Sequence, residues 1–231
     1  MPTYIQAAFV TGNSTGADGA AFSSVVTSGN LLAVTIVWVS TAVTLDAVTD
    51  PQGNTYTLLD NPSAESGLAG AIAWAVAGVT STNRVFAHFS TTTVYGVGAH
   101  ELDGATVNIA APINARDFKR SVGSTTTDGV TTDAFTPTVD GCYIFGTDFY
   151  VTAGLTTSSG TGYTERHDHA GVYFGKTEDS TQVTAGSTVV TFTSVPTAGV
   201  IHSVWGVAIE PAAGGGGTSY RSRRTLMGIG R

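Results

Sequence analysis

A chain of 231 residues that is 42% hydrophobic, only 12% charged and carries 29 glycines holds enough apolar material for a sizeable core, which excludes a disordered tail protein. Its formal charge of −7 is uneven: residues 218–231 hold Arg221, Arg223, Arg224 and Arg231 and no acid, and removing that +4 leaves the first 217 residues at −11. So acidic a body repels phosphate, which argues against nucleic acid and anionic membrane as its partners.

Along the chain the strand signal is pervasive and the helix signal nearly absent. The N-terminal MPTYIQAAFV lacks the basic start, apolar run and cleavage site of a secretory signal. A polar lead-in, Gln6–Ser28, precedes a strand with Leu32, Val34, Ile36 and Trp38 in alternation, and Asp50-Pro51-Gln52-Gly53-Asn54 and Asp60-Asn61-Pro62 follow as turns. The longest apolar runs, Leu31–Val39 and Leu68–Val79, fall short of the ~18–20 residues that span a bilayer, so a soluble chain displayed by assembly is expected. Alternation returns in Val85 to Phe89, in Tyr143, Phe145, Phe149 and Val151, and in Val204 to Ile209, with turns at Val139-Asp140-Gly141 and Ser159-Gly160-Thr161-Gly162. The single cysteine, Cys142, allows no intrachain disulfide, and its neighbours Tyr143, Ile144 and Phe145 predict a buried structural thiol.

An internal repeat emerges when residues 27–104 are laid against residues 138–211. TSGNLLAVTIVWVS answers TVDGCYIFGTDFYV, GNTYTLLDNP answers GTGYTERHDH, LAGAIAWAVAG answers HAGVYFGKTED, and VYGVGAHELDG answers VWGVAIEP. Gly29 and Gly141 are 112 apart, Tyr56 and Tyr163 107, Glu101 and Glu210 109. Each half offers about five strands, with Gln6–Ser28 and Val107–Pro137 as lead-ins that add one more. The expected architecture is an all-β, two-sheet β-sandwich of jelly-roll or Ig-like type over residues 1–211, the two halves facing each other across a shared core. Two tandem sandwiches are the alternative. Residues 212–217 form a glycine linker, and residues 218–231 a basic peptide whose Leu226, Met227 and Ile229 beside the arginines suit docking.

The strings GNLLAVTIVWVS, TDPQGNTYTLL, AIAWAV and VGAHELDG, with VDGCYIFGTDFYV, GTGYT and VWGVAIEP, resemble a β-sandwich module of bacterial secreted proteins and tailed-phage virion proteins, over roughly residues 4–211. The resemblance implies a non-enzymatic structural role, with no catalytic residues and no cofactor. A free-standing copy with an arginine-rich tail looks more like a head decoration protein or a tail or fibre component than a secreted-enzyme accessory. The expected partners are other virion proteins and copies of this chain, on the virion. The alternative is a glycan-binding adhesin on a bacterial surface, contacting a host glycan.

Several residues invite a chemical reading. Gly12-Asn13-Ser14-Thr15-Gly16 matches G-x-S-x-G, but that motif needs a buried strand before it and a helix after it, so a loop is expected; Asn13-Ser14-Thr15 is also a sequon. On a regular strand Glu165, His167 and His169 project from one face and offer a transition-metal site, with Asp168 pointing away; a solvated strand end is the plainer expectation. Glu101 and Glu210 form a glycosidase-like pair of carboxylates, which repetition of one strand end explains more simply. Asp148, on a strong strand, is a carboxylate whose burial is costly. Trp38 and Trp205 lie in core-like lines, where core packing is expected; for Trp74, among alanines, the pattern leaves core and exposed sheet face open.

Overall fold

The computed structural model describes residues 1–40, 42–59, 67–122, 129–150, 156–170, 174–182, 184–195 and 201–213. They form an all-β molecule. The first half runs β1 (Tyr4–Ser14), β2 (Ala20–Ala21), β3 (Leu31–Val39), β4 (Leu45–Thr49), β5 (Thr57–Leu59), β6 (Leu68–Val76), β7 (Arg84–Phe89) and β8 (Thr93–Leu102). A short 3₁₀ turn, Gly104–Thr106, leads to β9 (Ile113–Val122), β10 (Gly129–Thr131), β11 (Tyr143–Tyr150), β12 (Thr156–Ser158), β13 (Thr164–Ala170), β14 (Phe174–Thr181), β15 (Thr191–Val195) and β16 (Ile201–Ile209).

The topology is written twice. The first half has a five-stranded antiparallel sheet in the order β1-β8-β3-β6-β5 and a small sheet β2-β7-β4. The second half has β9-β16-β11-β14-β13 and β10-β15-β12. Of the five strands expected within residues 27–104, β3, β5, β6 and β8 lie in the large sheet and β7 in the small one; the lead-in supplies two strands, β1 to the large sheet and β2 to the small. The turn glycines Gly29 (φ 90°) and Gly141 (φ 75°) both sit in the left-handed region just before β3 and β11, a conformation glycine adopts without strain.

Each large sheet is covered on both faces, and this explains why strands such as β3 and β6 read as apolar runs rather than clean alternation. In β3 the alternating Leu32, Val34, Ile36 and Trp38 pack with Ala20, Phe22, Leu45, Val85 and Phe89 of the small sheet and its loops. The intervening Leu31, Ala33 and Val37 instead join Phe9, Ile72, Phe118, Tyr143, Phe145, Phe149 and Trp205 between the two large sheets. The second half has its own inner core of Val130, Phe135, Cys142, Ile144, Val190, Phe192, Val204 and Ala208. The molecule is thus four layers deep, small sheet, large sheet, large sheet, small sheet. Each fully buried aromatic of the central layer contributes about 2–3 kcal/mol of transfer free energy.

The central contact is nearly self-complementary, as an isologous dimer interface is. Thr35 and Thr147 meet through their hydroxyls at 2.7 Å. Counting outward from that pair, Gly98 lies beside Thr35 as Trp205 lies beside Thr147, Phe9 pairs with Gly98 as Phe118 pairs with Trp205, and Gly70 lies beside Val37 as Gly175 lies beside Phe149. The Phe118 ring and Trp205 sit over Gly70, with ring atoms about 2.9 Å from where a Cβ would stand, and a Cβ on Gly175 would overlap the ring of Phe9. Each half presents a phenylalanine to the other half's missing side chain. Trp205 also donates its indole N–H to the Ile36 carbonyl at 3.2 Å.

Candidate functional site

The residues singled out from sequence fall into separate places. A register shift between Glu165 and His167 breaks the alternation of β13. Glu165 pairs across from Glu178 while His167 and His169 pair across from Thr177 and Gly175, so the carboxylate and the imidazoles leave opposite faces. The expectation of three ligands on one face fails on that bulge. Glu165 instead accepts a hydrogen bond from Lys176 at 2.7 Å, Asp168 also faces Lys176 at 3.4 Å, and His169 lies against Phe9 of the other half. Among the described residues no three His, Cys, Asp or Glu side chains gather as a metal cluster.

Glu101 and Glu210 are not equivalent in register. Glu101 lies within β8 opposite Leu32 and Gln6, whereas Glu210 follows the last residue of β16. Glu101 is fully buried and accepts from Gln6 Nε2 (2.5 Å), Asn30 Nδ2 (2.6 Å) and the Thr27 amide (3.0 Å). Glu210 accepts from Asn108 and Asn114 side chains at 3.1 and 2.9 Å. Both fasten loops to the large sheets. Ser14 ends β1, and its hydroxyl accepts from the amides of Gly16 and Ala17, which caps a turn. Cys142 is buried in the second inner core, where desolvation pushes its thiol up to about 11. Trp38 donates to the Val43 carbonyl inside the first core, and Trp74 is half-buried at the edge of the central layer. The linker 214–217 and the docking residues Arg221, Arg223, Arg224, Leu226, Met227, Ile229 and Arg231 lie outside the described residues.

Two features went unread in the sequence, apart from Asp148, whose costly burial the sequence marks and the structure shows. The first is a charged set inside the second half. Asp148 and His202 are fully buried, with the imidazole Nδ1 at 3.0–3.1 Å from both carboxylate oxygens. Lys176 and Glu178, on the same face of β14, are buried beside them. Glu178 Oε2 accepts from the Gly160 amide at 2.8 Å, yet burial, reinforced by Asp148 and Asp179, raises its pKa to about 8 despite nearby Lys176. Asp148, His202 and Ser203 supply the residue types of a hydrolytic triad, but Ser203 leaves β16 on the opposite face from His202, and its buried hydroxyl has no hydrogen-bond partner among the described residues. Ser203 is therefore not placed for His202 to take its proton.

A related network bridges the halves. Tyr143 donates to Asp179 at 2.6 Å and meets His100 Nδ1 at 2.9 Å, while Arg166 pairs with Asp179 at 2.5 Å and lies over the Tyr4 ring at 4.0 Å. Complete burial, with Arg166 and His167 nearby, drives His100 down to about 3. His100 is therefore a neutral strut at physiological pH.

The second feature is an open groove of about 430 Å³ on the outer face of the first half's small sheet. Phe86 and His88 project outward from β7 and stack, with ring centroids 6.3 Å apart and planes at 24°. Thr49 fixes the imidazole through a 2.7 Å contact to Nε2. One wall is the loop at Thr15 and Gly16, where the Phe89 amide donates to the Thr15 carbonyl and Gly16 lies so close to the Ala87 carbonyl that no side chain fits. The other wall is the Asp50–Pro51 turn, whose carboxylate accepts from the Gln52 and Asn54 amides and from the side chains of Asn54, Tyr56 and Asn83. Those side-chain and backbone hydrogen bonds outweigh burial and hold the Asp50 pKa below the usual range. Comparison with protein-family models, curated proteins and solved structures found no match. The groove is thus judged on its own geometry: it is open, and hydrogen bonds within the protein hold both of its walls in place.

Proposed function

We propose that the chain is a non-enzymatic structural protein of a tailed-phage particle, a head decoration, tail or fibre component that assembles through its sandwich surface and its C-terminal peptide. The observation that carries this reading is the four-layer body with its self-complementary central contact. Such a body is stiff across its full depth, and Glu101, His100, Asp148 and His202 hold its loops, sheets and halves together. The strand order 1-8-3-6-5 over 2-7-4, repeated in both halves, supports a jelly-roll reading of each half over an Ig-like one. Rigidity comes from the core, reach from Gly214–Gly217, and attachment from Leu226, Met227 and Ile229 entering an apolar groove while the arginines meet an acidic rim.

Truncation after Gly217 tests the mechanism in a particle-assembly assay. The shortened chain should fold with an unchanged melting temperature and fail to enter particles, and wild-type incorporation should weaken as salt rises. Full incorporation of the truncated chain would refute docking by the tail.

A further inference from the structure

We propose that the outer groove of the first half is a binding site for a neutral saccharide, with Phe86 and His88 as the platform on which a sugar ring lies. This inference needs only the groove and stands apart from the virion assignment. The fold does not require the platform: Val85 and Phe192, facing the two inner cores, hold matching places, and in that register Thr193 stands where Phe86 does. The second half builds the same small sheet without an aromatic there. Half-exposed aromatic rings on an outward face are therefore an addition to the architecture, set in a pre-formed hollow.

The chemistry of the lining selects the ligand. The C–H face of a pyranose suits an aromatic platform, since a ring's π face attracts partial positive charge. Hydroxyls of a sugar need polar partners at the rim, and Thr15 and Thr49 supply exposed ones on either side. Among the lining residues there is no lysine or arginine to hold a phosphate, sulfate or carboxylate, and the one carboxylate, Asp50, already accepts from five donors. That removes anionic and cationic ligands and leaves a neutral one. A second hollow of about 330 Å³ shares Pro51 but is lined by Arg84 as well as Gln52 and Asn83, so the neutral sugar unit is assigned to the first hollow alone. Both walls are fixed by backbone hydrogen bonds before any ligand arrives, which lowers the ordering cost of binding.

The test is a glycan array followed by saturation-transfer NMR on the full chain with each neutral oligosaccharide found. Wild type should bind neutral glycans; Phe86→Ala should weaken them by about tenfold or more, and Phe86→Tyr should retain them. Ala17→Trp, which fills the groove from an exposed wall position without touching the core, should also abolish binding, and circular dichroism of all three variants should match wild type. An array without neutral-glycan signal, signal that survives both Phe86→Ala and Ala17→Trp, or a change in sedimentation of Phe86→Ala showing that the groove holds a second copy of the chain, would each overturn the proposal.

Discussion

The two halves share one topology but fill it differently. Positions that are Ile36, Ala71, Ala73 and Tyr95 in the first half are, by strand register, Asp148, Lys176, Glu178 and His202 in the second. The first half buries these places in a continuous apolar core, with only the Tyr95 hydroxyl reaching out to the Asp18 backbone and Ser14. The second half inserts four ionisable groups where the fold demonstrably accepts aliphatic and aromatic ones. Gly146 makes the room, because it lies across from Glu178, whereas Val34 lies across from Ala73. The same backbone therefore tolerates both fillings. What differs is the dependence of each half on proton concentration and on keeping its charged partners intact.

Breaking the buried pair is the harshest test of that difference. His202→Ala leaves Asp148 without its partner in a site closed to water, and unfolding free energy should fall by about 3–5 kcal/mol in chemical denaturation. Installing the first half's residues, Asp148→Ile with His202→Tyr, should recover most of that loss or exceed wild type, because a packed apolar pair of similar volume removes two desolvation penalties. A double variant as unstable as the single one would show that the halves are not interchangeable at these positions.

Glu178 gives a milder, pH-dependent form of the same contrast. Its folded pKa of about 8 stands above the ordinary 4.5, so the folded state binds the proton more tightly than the unfolded one. This contribution to stability is greatest below about pH 4.5 and declines as pH rises through about 8, by something on the order of 5 kcal/mol. His100 acts in the opposite sense: its depressed pKa removes stability as pH falls from 6.5 toward about 3. Urea melts of wild type and Glu178→Gln at pH 5, 6.5 and 8 separate the two, since the variant should lose the decline on the alkaline side and keep the acid one. Parallel profiles for the two proteins would remove Glu178 as its source.

Much of the sandwich was legible because strand pattern and turn glycines are local. The all-β class follows from runs such as Leu31–Val39, and Gly29 and Gly141 mark matching turns in both halves. The site was less legible. Pairing Glu165 with His167 and His169 assumed a strict period of two, which one bulged residue destroys. Matching LAGAIAWAVAG to HAGVYFGKTED placed Gly70 against Gly171, whereas the register places it against Gly175, and that slip hid the substitution of Ala71 and Ala73 by Lys176 and Glu178. A signal was present: FGKTEDST is a charged string where the other half has AIAWAV. Phe86 and His88 were read only as strand residues, because their outward direction depends on which face of β7 meets the core.

The central layer offers the finest comparison, since there the halves are most alike. Thr35 and Thr147 occupy matching positions and hydrogen-bond each other at 2.7 Å where the sheets cross. Both are fully buried, so each hydroxyl depends on the other, with the Gly98 carbonyl at 3.4 Å a long secondary acceptor for Thr35. Thr35→Val or Thr147→Val alone leaves one buried hydroxyl poorly paired and should lower stability by about 1–2 kcal/mol. The double valine variant keeps the shape and leaves no orphan, so its loss should be smaller than the sum of the two singles. If the contact is as symmetric as its register, the two single variants should also agree within about 0.5 kcal/mol. A larger loss at Thr147 would mean that the second half, with charged groups close behind its sheet, relaxes less readily around a lost hydrogen bond. Additive losses would mean that the two hydroxyls are stabilised by separate partners, and that the halves meet at this point without depending on each other.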